Sequence, residues 1–183
     1  RTLELVLDQR VAPDLVWRGS LYRWALRDAI VFDDEAYVFR SEWPIRATGV
    51  ELSADKTWRG GARLRGSLSR QWVGRDDGQP VPNAPPWLAK LALSAPLPVA
   101  GLRLAYEWSF VGRRHTPDGD RLGGYALSGV HLLAPQVVPR LDVSLGITNL
   151  FNKRYAHPLP SGNWMSSLAQ DGRTATLKLS YRF

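Results

Sequence analysis

The stretch LRLAYEWSF, residues 102–110, decides the fold class of this chain. Apolar side chains occupy every second position, and Arg103, Glu107 and Ser109 fall between them. Successive side chains of a β-strand point to opposite faces, so the pattern predicts a strand with one apolar and one polar face. The same alternation recurs in residues 141–148 and 176–183, and helical periodicity is almost absent. The chain is therefore predicted to be all-β.

Six further segments are predicted to be strands. Four alternate cleanly: residues 3–7, 48–54, 64–68 and 87–93. In residues 15–26 the apolar phase switches near Leu21, which predicts a β-bulge or bend there. Residues 125–134 are weakly polar on both faces, and the sequence leaves their phase undetermined. The total is nine strands.

The connections between these strands alternate strictly between short and long. The short ones are residues 11–14, 58–61, 97–101 and 135–139, and the long ones are residues 27–45, 75–86, 113–124 and 153–172. The first long connection has two apolar segments around Asp33-Asp34-Glu35, which predicts a projecting hairpin. Alternating connections of this kind are typical of an antiparallel up-and-down sheet.

Composition removes several classes of function. The 183 residues contain no Cys, so disulfide frameworks, thiolate nucleophiles and Cys-based metal sites are excluded. The net charge is +7, but the Arg residues alternate with apolar positions over many strands and form no patch with stacking aromatics. We therefore expect no nucleic-acid partner, no cofactor and no resident metal.

The side of the sheet that faces water distinguishes a soluble barrel from a membrane barrel. A soluble barrel keeps its apolar face inside, whereas an outer-membrane barrel turns that face to lipid and lines its lumen with polar residues. Three features favour the membrane barrel: apolar faces of about 10 residues, aromatic residues at strand ends, and turns on one side with long loops on the other. The fold class is thus predicted to be an antiparallel up-and-down transmembrane β-barrel, with a soluble sandwich or barrel as the alternative.

The C-terminal residues carry a more specific signal. The runs ITNLFNKRY, residues 147–155, and QDGRTATLKLSYRF, residues 170–183, closely resemble the end of TonB-dependent outer-membrane receptors. In that family the penultimate strand closes with Asn-Leu-Phe-Asp/Asn-x-x-Tyr, and the last strand starts with Gly-Arg and ends in an aromatic. A weaker likeness to family strands is present in residues 2–5, 46–52, 83–85 and 124–125.

The resemblance implies the organisation and function of the whole. Barrels of this family have about 22 strands, so residues 1–183 are expected to be a single C-terminal segment, with the plug domain and the first barrel strands absent. The parent is expected to be an integral protein of the outer membrane that binds and imports a scarce nutrient, such as an iron-siderophore or a similar metal chelate. Its expected partners are outer-membrane lipid and lipopolysaccharide, the barrel-assembly machinery, that small chelate, and the TonB complex through the missing N-terminal part.

Two sets of residues are expected to carry roles within that framework. The last strand presents a row similar to the assembly signal of outer-membrane barrels, formed by Leu177, Leu179, Tyr181 and Phe183. Ligand contact in this family comes from extracellular loops and the plug, so the cationic and aromatic loop residues are the binding candidates: Arg113, Arg114, His115, Tyr155, His157 and Trp164. The alternatives are contact with lipopolysaccharide phosphates for the arginines and simple solvation for the histidines. Asn149, at a strand end, is expected to be a turn residue.

Two other functions remain as alternatives. One is a small independent outer-membrane barrel with a structural or adhesion role. The other is a barrel-wall hydrolase, for which His131, near Ser128, is the only His within a predicted strand, although no hydrolase motif is present. We expect no catalytic residues and no enzymatic activity.

Overall fold

The nine predicted strands form one antiparallel sheet. The computed structural model describes residues 1–33, 36–99 and 101–183. Each long strand pairs with the next one along the chain, so the up-and-down topology is confirmed. In spatial order the strands are β1 Thr2–Ala12, β2 Leu15–Leu26, β5 Ile45–Thr57, β6 Arg63–Arg75, β7 Trp87–Pro96, β8 Arg103–Val111, β11 Tyr125–Val138, β12 Leu141–Thr148 and β15 Thr174–Tyr181. Strands β1 and β15 are the two edges, and the sheet is not closed on itself.

The predicted alternation of connections is also confirmed. Short connections join successive strands at one end of the sheet, which we call the short-turn end. They span residues 13–14, 58–62, 97–102 and 139–140, of which residue 100 lies outside the described residues. Residues 27–44, 76–86, 112–124 and 149–173 form long loops at the opposite, long-loop end. Three of these loops contain small hairpins: β3 Ala29–Asp33 with β4 Val38–Glu42, β9 Arg114–His115 with β10 Arg121–Leu122, and β13 Ala156–Pro158 with β14 Ser167–Ala169. The first hairpin was predicted; Asp34 and Glu35 within it lie outside the described residues.

The strand register puts apolar and charged side chains on opposite faces. The apolar row crosses the sheet through cross-strand pairs such as Leu52 with Leu68 and Leu145 with Leu177. The polar face is concave around a cavity of about 1000 Å³. Charged residues that line this cavity include Arg18, Asp55, Arg65, Lys90 and Glu107.

This arrangement favours the membrane barrel over the soluble one. A soluble barrel would pack apolar side chains inside, but in the described part of the chain the only buried apolar residues are Ala47 and Tyr125. Large apolar side chains are instead exposed on the outer face, with Leu21, Leu52 and Leu68 between 41% and 57% exposed. An outer face of this kind is stable in lipid and a liability in water. Within the described ranges, no helix has the length and hydropathy that a membrane crossing would need.

The bulge predicted near Leu21 is absent, and the prediction was wrong. Strand β2 pairs with β5 residue for residue from Leu15 to Leu26, and its one irregularity with β1 lies between Arg10 and Ala12. The apolar phase switches because Tyr22 and its neighbour at position 24 are aromatic residues on the concave face. The Tyr22 ring lies over Gly49, where an added Cβ would approach its hydroxyl oxygen to 2.3 Å. Glycine in β5 therefore makes room for an inward aromatic ring.

Strand β11 is longer than the sequence predicted, and the structure fixes its phase. Residues 135–139 do not form the predicted turn, because β11 continues to Val138 past a bulge between Ala134 and Val138. Gln136 adopts a positive φ of 50° there, and its N–H donates to the Asp142 carboxylate at 2.9 Å. The phase of residues 125–134, which the sequence left undetermined, is fixed by His131, whose ring lies over Gly146 on the concave face.

Candidate functional site at the long-loop end

Arg114 ties three of the long loops together. Its guanidinium donates to the Asn83 side-chain oxygen at 3.2 Å and to the Ala156 carbonyl at 3.0 Å. Asn83 belongs to loop 76–86 and Ala156 to loop 149–173, whereas Arg114 itself is in β9 of loop 112–124. The Asn83 N–H also donates to the His115 carbonyl at 2.9 Å, a second link between the first two loops.

Arg114 is buried, which is unusual for a charged side chain. Only 4% of its surface is exposed, and in the described part of the chain it has no carboxylate partner. Its Nε has no hydrogen-bond partner there either. The guanidinium carbon lies 5.3 Å from the centre of the Tyr125 ring, a favourable cation–π distance. Neutral oxygens and an aromatic face thus stabilise the buried charge.

An aromatic cluster surrounds this cation. The Tyr125 and Tyr155 rings are 4.4 Å apart at their centres, and the Tyr155 and His157 rings are 5.6 Å apart. The Tyr125 hydroxyl and His157 Nε2 are 3.3 Å apart and share a hydrogen bond. Tyr125 has the phase of the concave face of β11, so the cluster lies at the mouth of the lumen. We call these four residues, Arg114, Tyr125, Tyr155 and His157, the Arg114 cluster.

The environment keeps Tyr155 and His157 of the cluster neutral at pH 7. Burial lowers the pKa of His157, and the positive charge of Arg114 lowers it further. Burial also raises the pKa of Tyr155, with additional contributions from Tyr125 and Asp171. The cluster is therefore a positively charged, aromatic surface in which the Tyr155 hydroxyl and the His157 imidazole are neutral. Such a surface suits flat or anionic organic groups more than a bare cation.

The predicted candidates divide into two groups. Arg114, Tyr155 and His157 come together in the cluster. Arg113 is exposed, His115 is half-buried and paired with Arg121 in the β9–β10 hairpin, and Trp164 is 90% exposed at the tip of loop 149–173. Ligand contact by any of the six stays a prediction.

Sequence reasoning missed two members of this arrangement. Tyr125 and Asn83 were noted only as parts of the Gly-Tyr and Asn-x-Pro segments that resemble family strands. Both segments lie at the long-loop end of their strands, and this position is the signal that would have associated them with the loops. Their spatial contact with Arg114 spans 31 residues in one case and joins separate loops, so no local pattern encodes it.

The motif near the C-terminus is a built turn, as predicted for Asn149. This residue is buried and has a φ of 47°. Its Oδ1 accepts a hydrogen bond from the Lys153 N–H at 2.7 Å, and its Nδ2 donates one to the Lys153 carbonyl at 2.9 Å. Asn152 then accepts a hydrogen bond from the Arg173 N–H at 3.0 Å. A Cβ on Gly172 would lie 2.5 Å from the Asn152 oxygen, so a larger residue there would displace the side chain that accepts the Arg173 hydrogen bond. The Asn-Leu-Phe-Asn element thus contacts the Gly-Arg element directly through Asn152.

The proposed assembly residues lie along the edge strand β15. Leu177, Leu179 and Tyr181 share its outer face and are 54–64% exposed, and the Phe183 ring contacts Tyr181 edge-on with centres 5.4 Å apart. Their role in assembly stays a prediction.

The hydrolase alternative fails on geometry. Ser128 has the outward phase of β11, where its hydroxyl contacts the Tyr106 hydroxyl at 3.0 Å. His131 has the opposite, inward phase. Side chains on opposite faces of one strand cannot form a nucleophile–base pair.

Fold and site together define a segment of an outer-membrane β-barrel, with a polar lumen and long loops at one end. The sequence profile described as "TonB dependent receptor-like, beta-barrel" matches residues 1–150. The chain therefore belongs to the β-barrel family of TonB-dependent receptors, which are proteins of the Gram-negative outer membrane. Members of this family are transporters and not enzymes, which confirms the expectation for this chain. No curated protein sequence matches it.

Solved structures show the same fold. The ferric yersiniabactin uptake receptor FyuA from Yersinia pestis is 21% identical with a TM-score of 0.82, and all of this chain aligns with 30% of it. The ferric-catecholate import receptor Fiu from E. coli K12 is 18% identical with a TM-score of 0.79, and all of this chain aligns with 27% of it. The copper transporter OprC is 22% identical with a TM-score of 0.78, and all of this chain aligns with 30% of it. The chain thus spans less than a third of the length of these proteins.

Proposed function

We propose that this chain is the C-terminal part of a receptor barrel that binds and imports an iron-siderophore or a similar metal chelate. The observation that carries the proposal is the convergence of three long loops on the Arg114 cluster at the mouth of the lumen. The nine strands would complete a barrel of about 22 strands together with a plug domain encoded elsewhere in the parent, and that part would engage TonB.

The chemistry of the cluster supports this class of ligand. Many metal chelates combine a negative charge with flat aromatic or carboxylate groups, which stack on rings and are attracted by cations. Tyr155 and His157 offer half-buried ring faces, and both are neutral. Arg114 is too buried to contact a ligand in this conformation, so its role would be to hold the rings and to contribute long-range positive charge. Exposed Arg113 would add to that field during approach.

The relatives support the same class. Fiu is a ferric-catecholate import receptor, FyuA is a ferric yersiniabactin uptake receptor, and OprC is a copper transporter. The C-terminal row from Leu177 to Phe183 is proposed to bind the barrel-assembly machinery.

The test uses the full-length parent, produced in a Gram-negative strain that lacks its own receptors for iron chelates. Uptake of ⁵⁵Fe is measured with a catecholate, a hydroxamate and a phenolate chelate, with and without TonB. We expect TonB-dependent uptake of at least one chelate. Loss of one stacked ring weakens such contacts by about 1 kcal/mol, so Tyr155→Leu and His157→Leu should each reduce apparent affinity about fivefold.

Phe151→Leu is the matched control. Phe151 is a ring of the same loop, is 75% exposed and lies outside the cluster. Chelate uptake by the Phe151→Leu receptor should stay within twofold of uptake by the unchanged receptor. Equal uptake by the cluster variants at equal levels of folded barrel would contradict the proposed site, and absence of uptake with every chelate would contradict the ligand class.

A further inference from the structure

A second cationic and aromatic cluster lies on the outer, lipid-facing side of the sheet. Arg70 in β6 pairs with Val50 of β5 and Trp87 of β7. By strand alternation it shares the outward phase of Leu68 and Trp72. It stands five residues before the end of β6, at the long-loop end of the sheet.

The Arg70 guanidinium lies over two tryptophan rings. Its central carbon is 4.7 Å from the centre of the Trp72 ring and 4.3 Å from that of the Trp87 ring. Both distances fall within the cation–π range of about 6 Å. Across the described residues, no carboxylate forms an ion pair with Arg70.

Arg70, Trp72 and Trp87 lie at the boundary of the apolar band on the outer face. On the outer face of β6, the last large aliphatic residue is Leu68, and on β2 it is Leu21, which is followed on the same face by Arg23. Arg23 of β2 pairs with Thr48 of β5, which in turn pairs with Trp72 of β6. Arg23 is therefore two strands away from Trp72. A charged side chain facing lipid is unfavourable at the membrane centre and favourable at the head-group level, where tryptophan also concentrates.

The cations near this boundary differ in their partners. Arg46, also on the outer face, forms an ion pair with Asp76 at 2.9 Å. Arg23 and Arg70 have no such partner within the described part of the chain. We call Arg23, Arg70, Trp72 and Trp87 the Arg70 patch.

The geometry leaves Arg70 able to bind an oxyanion. The N–H donors of a guanidinium lie in its plane, and within the described part of the chain no hydrogen bond uses those of Arg70. Those in-plane donors match the oxygens of a phosphate, which accept two parallel hydrogen bonds. At the edge of an apolar band, the phosphates within reach are those of lipid head groups.

We propose that the Arg70 patch binds a phosphorylated lipid in the membrane leaflet at the long-loop end, with Arg70 as the phosphate contact and the two tryptophans as its clamp. Phosphates on the sugar head group of lipopolysaccharide, the expected lipid neighbour, fit this chemistry. We assign the phosphate to a lipid, because the tryptophan rings also offer apolar contact to acyl chains. This inference is independent of the nutrient that the receptor imports.

The test measures binding of fluorescent lipid A to the purified full-length receptor in detergent. The variant Arg70→Gln should weaken binding of bis-phosphorylated lipid A about tenfold, equivalent to about 1.4 kcal/mol. Arg70→Lys keeps the charge but loses the planar fork, so it should weaken binding less. Lipid A without phosphates should bind the unchanged receptor about as weakly as bis-phosphorylated lipid A binds the Gln variant.

Arg65→Gln is the matched control, since Arg65 is an exposed arginine of the same strand on the concave face. It should leave affinity unchanged, and millimolar inorganic phosphate should not displace the lipid. Unchanged affinity in Arg70→Gln, an equal loss in Arg65→Gln, or equal binding of phosphate-free lipid A would overturn the proposal. Displacement by inorganic phosphate would overturn the assignment to a lipid. If Arg70→Gln yields no heat-modifiable barrel, Trp87→Leu serves instead, with a loss of at least threefold expected.

Discussion

Replacing Arg114 by Met should loosen the long loops without unfolding the barrel. Arg114 makes its hydrogen bonds to loops 76–86 and 149–173 from a buried position, and methionine keeps much of its apolar stem. Hydrogen bonds from a charged donor contribute about 1.5–3 kcal/mol each. Removing the buried charge offsets part of that loss, because an ion without a carboxylate partner is unfavourable in a dry site.

The net effect is expected to be about 2–3 kcal/mol of local stability, which raises the local opening constant about 30- to 150-fold. Hydrogen exchange measured on the full-length receptor should show this increase in loops 76–86 and 149–173 and little change in the long strands. Arg113→Met is the matched control, because Arg113 is the exposed neighbour. Unchanged exchange in both loops, or an equal increase in the control, would refute the view that Arg114 holds the loops together.

Three further predictions concern other parts of the chain. Gly49→Val should lower folded-barrel yield because its Cβ collides with the Tyr22 ring, and adding Tyr22→Ala should restore the heat-modifiable band on gels. Burial lowers the pKa of His157, so the unfolded loop binds protons more readily than the folded loop. Protection of loop 149–173 against hydrogen exchange should therefore fall as the pH drops below 6.5, the ordinary pKa of histidine. His157→Gln should remove this pH dependence. Phe183→Asp should lower the level of folded receptor in the outer membrane, and unchanged heat-modifiable barrel would remove Phe183 from the assembly signal.

The strands and their order were predictable because lipid imposes a simple rule on them. Every second residue of residues 102–110 or 141–148 must be apolar where it faces lipid, so the period of two is preserved along the strand. The rule constrains the outer face alone. The lumen tolerates any residue that water or a neighbour can accommodate, which is why an inward Tyr22 over Gly49 imitated a bulge.

The candidate site was predictable only in part, because its contacts are long-range. The composition of the loops identified Arg114, Tyr155 and His157 as candidates, but it gave them the same weight as exposed Arg113 and Trp164. Burial separates these residues, and burial depends on how Asn83 and Tyr125 from other segments pack against them. A single sequence contains no local pattern for such a meeting of loops.

The central claim is that this chain is one part of a plugged TonB-dependent importer. Determining the gene sequence upstream of the codon for Arg1 tests it most directly. The account predicts about 400–500 further codons that encode a signal peptide, a plug domain and about 13 more strands, as a barrel of about 22 strands requires. A start codon and signal peptide directly before Arg1, with no plug, would contradict it.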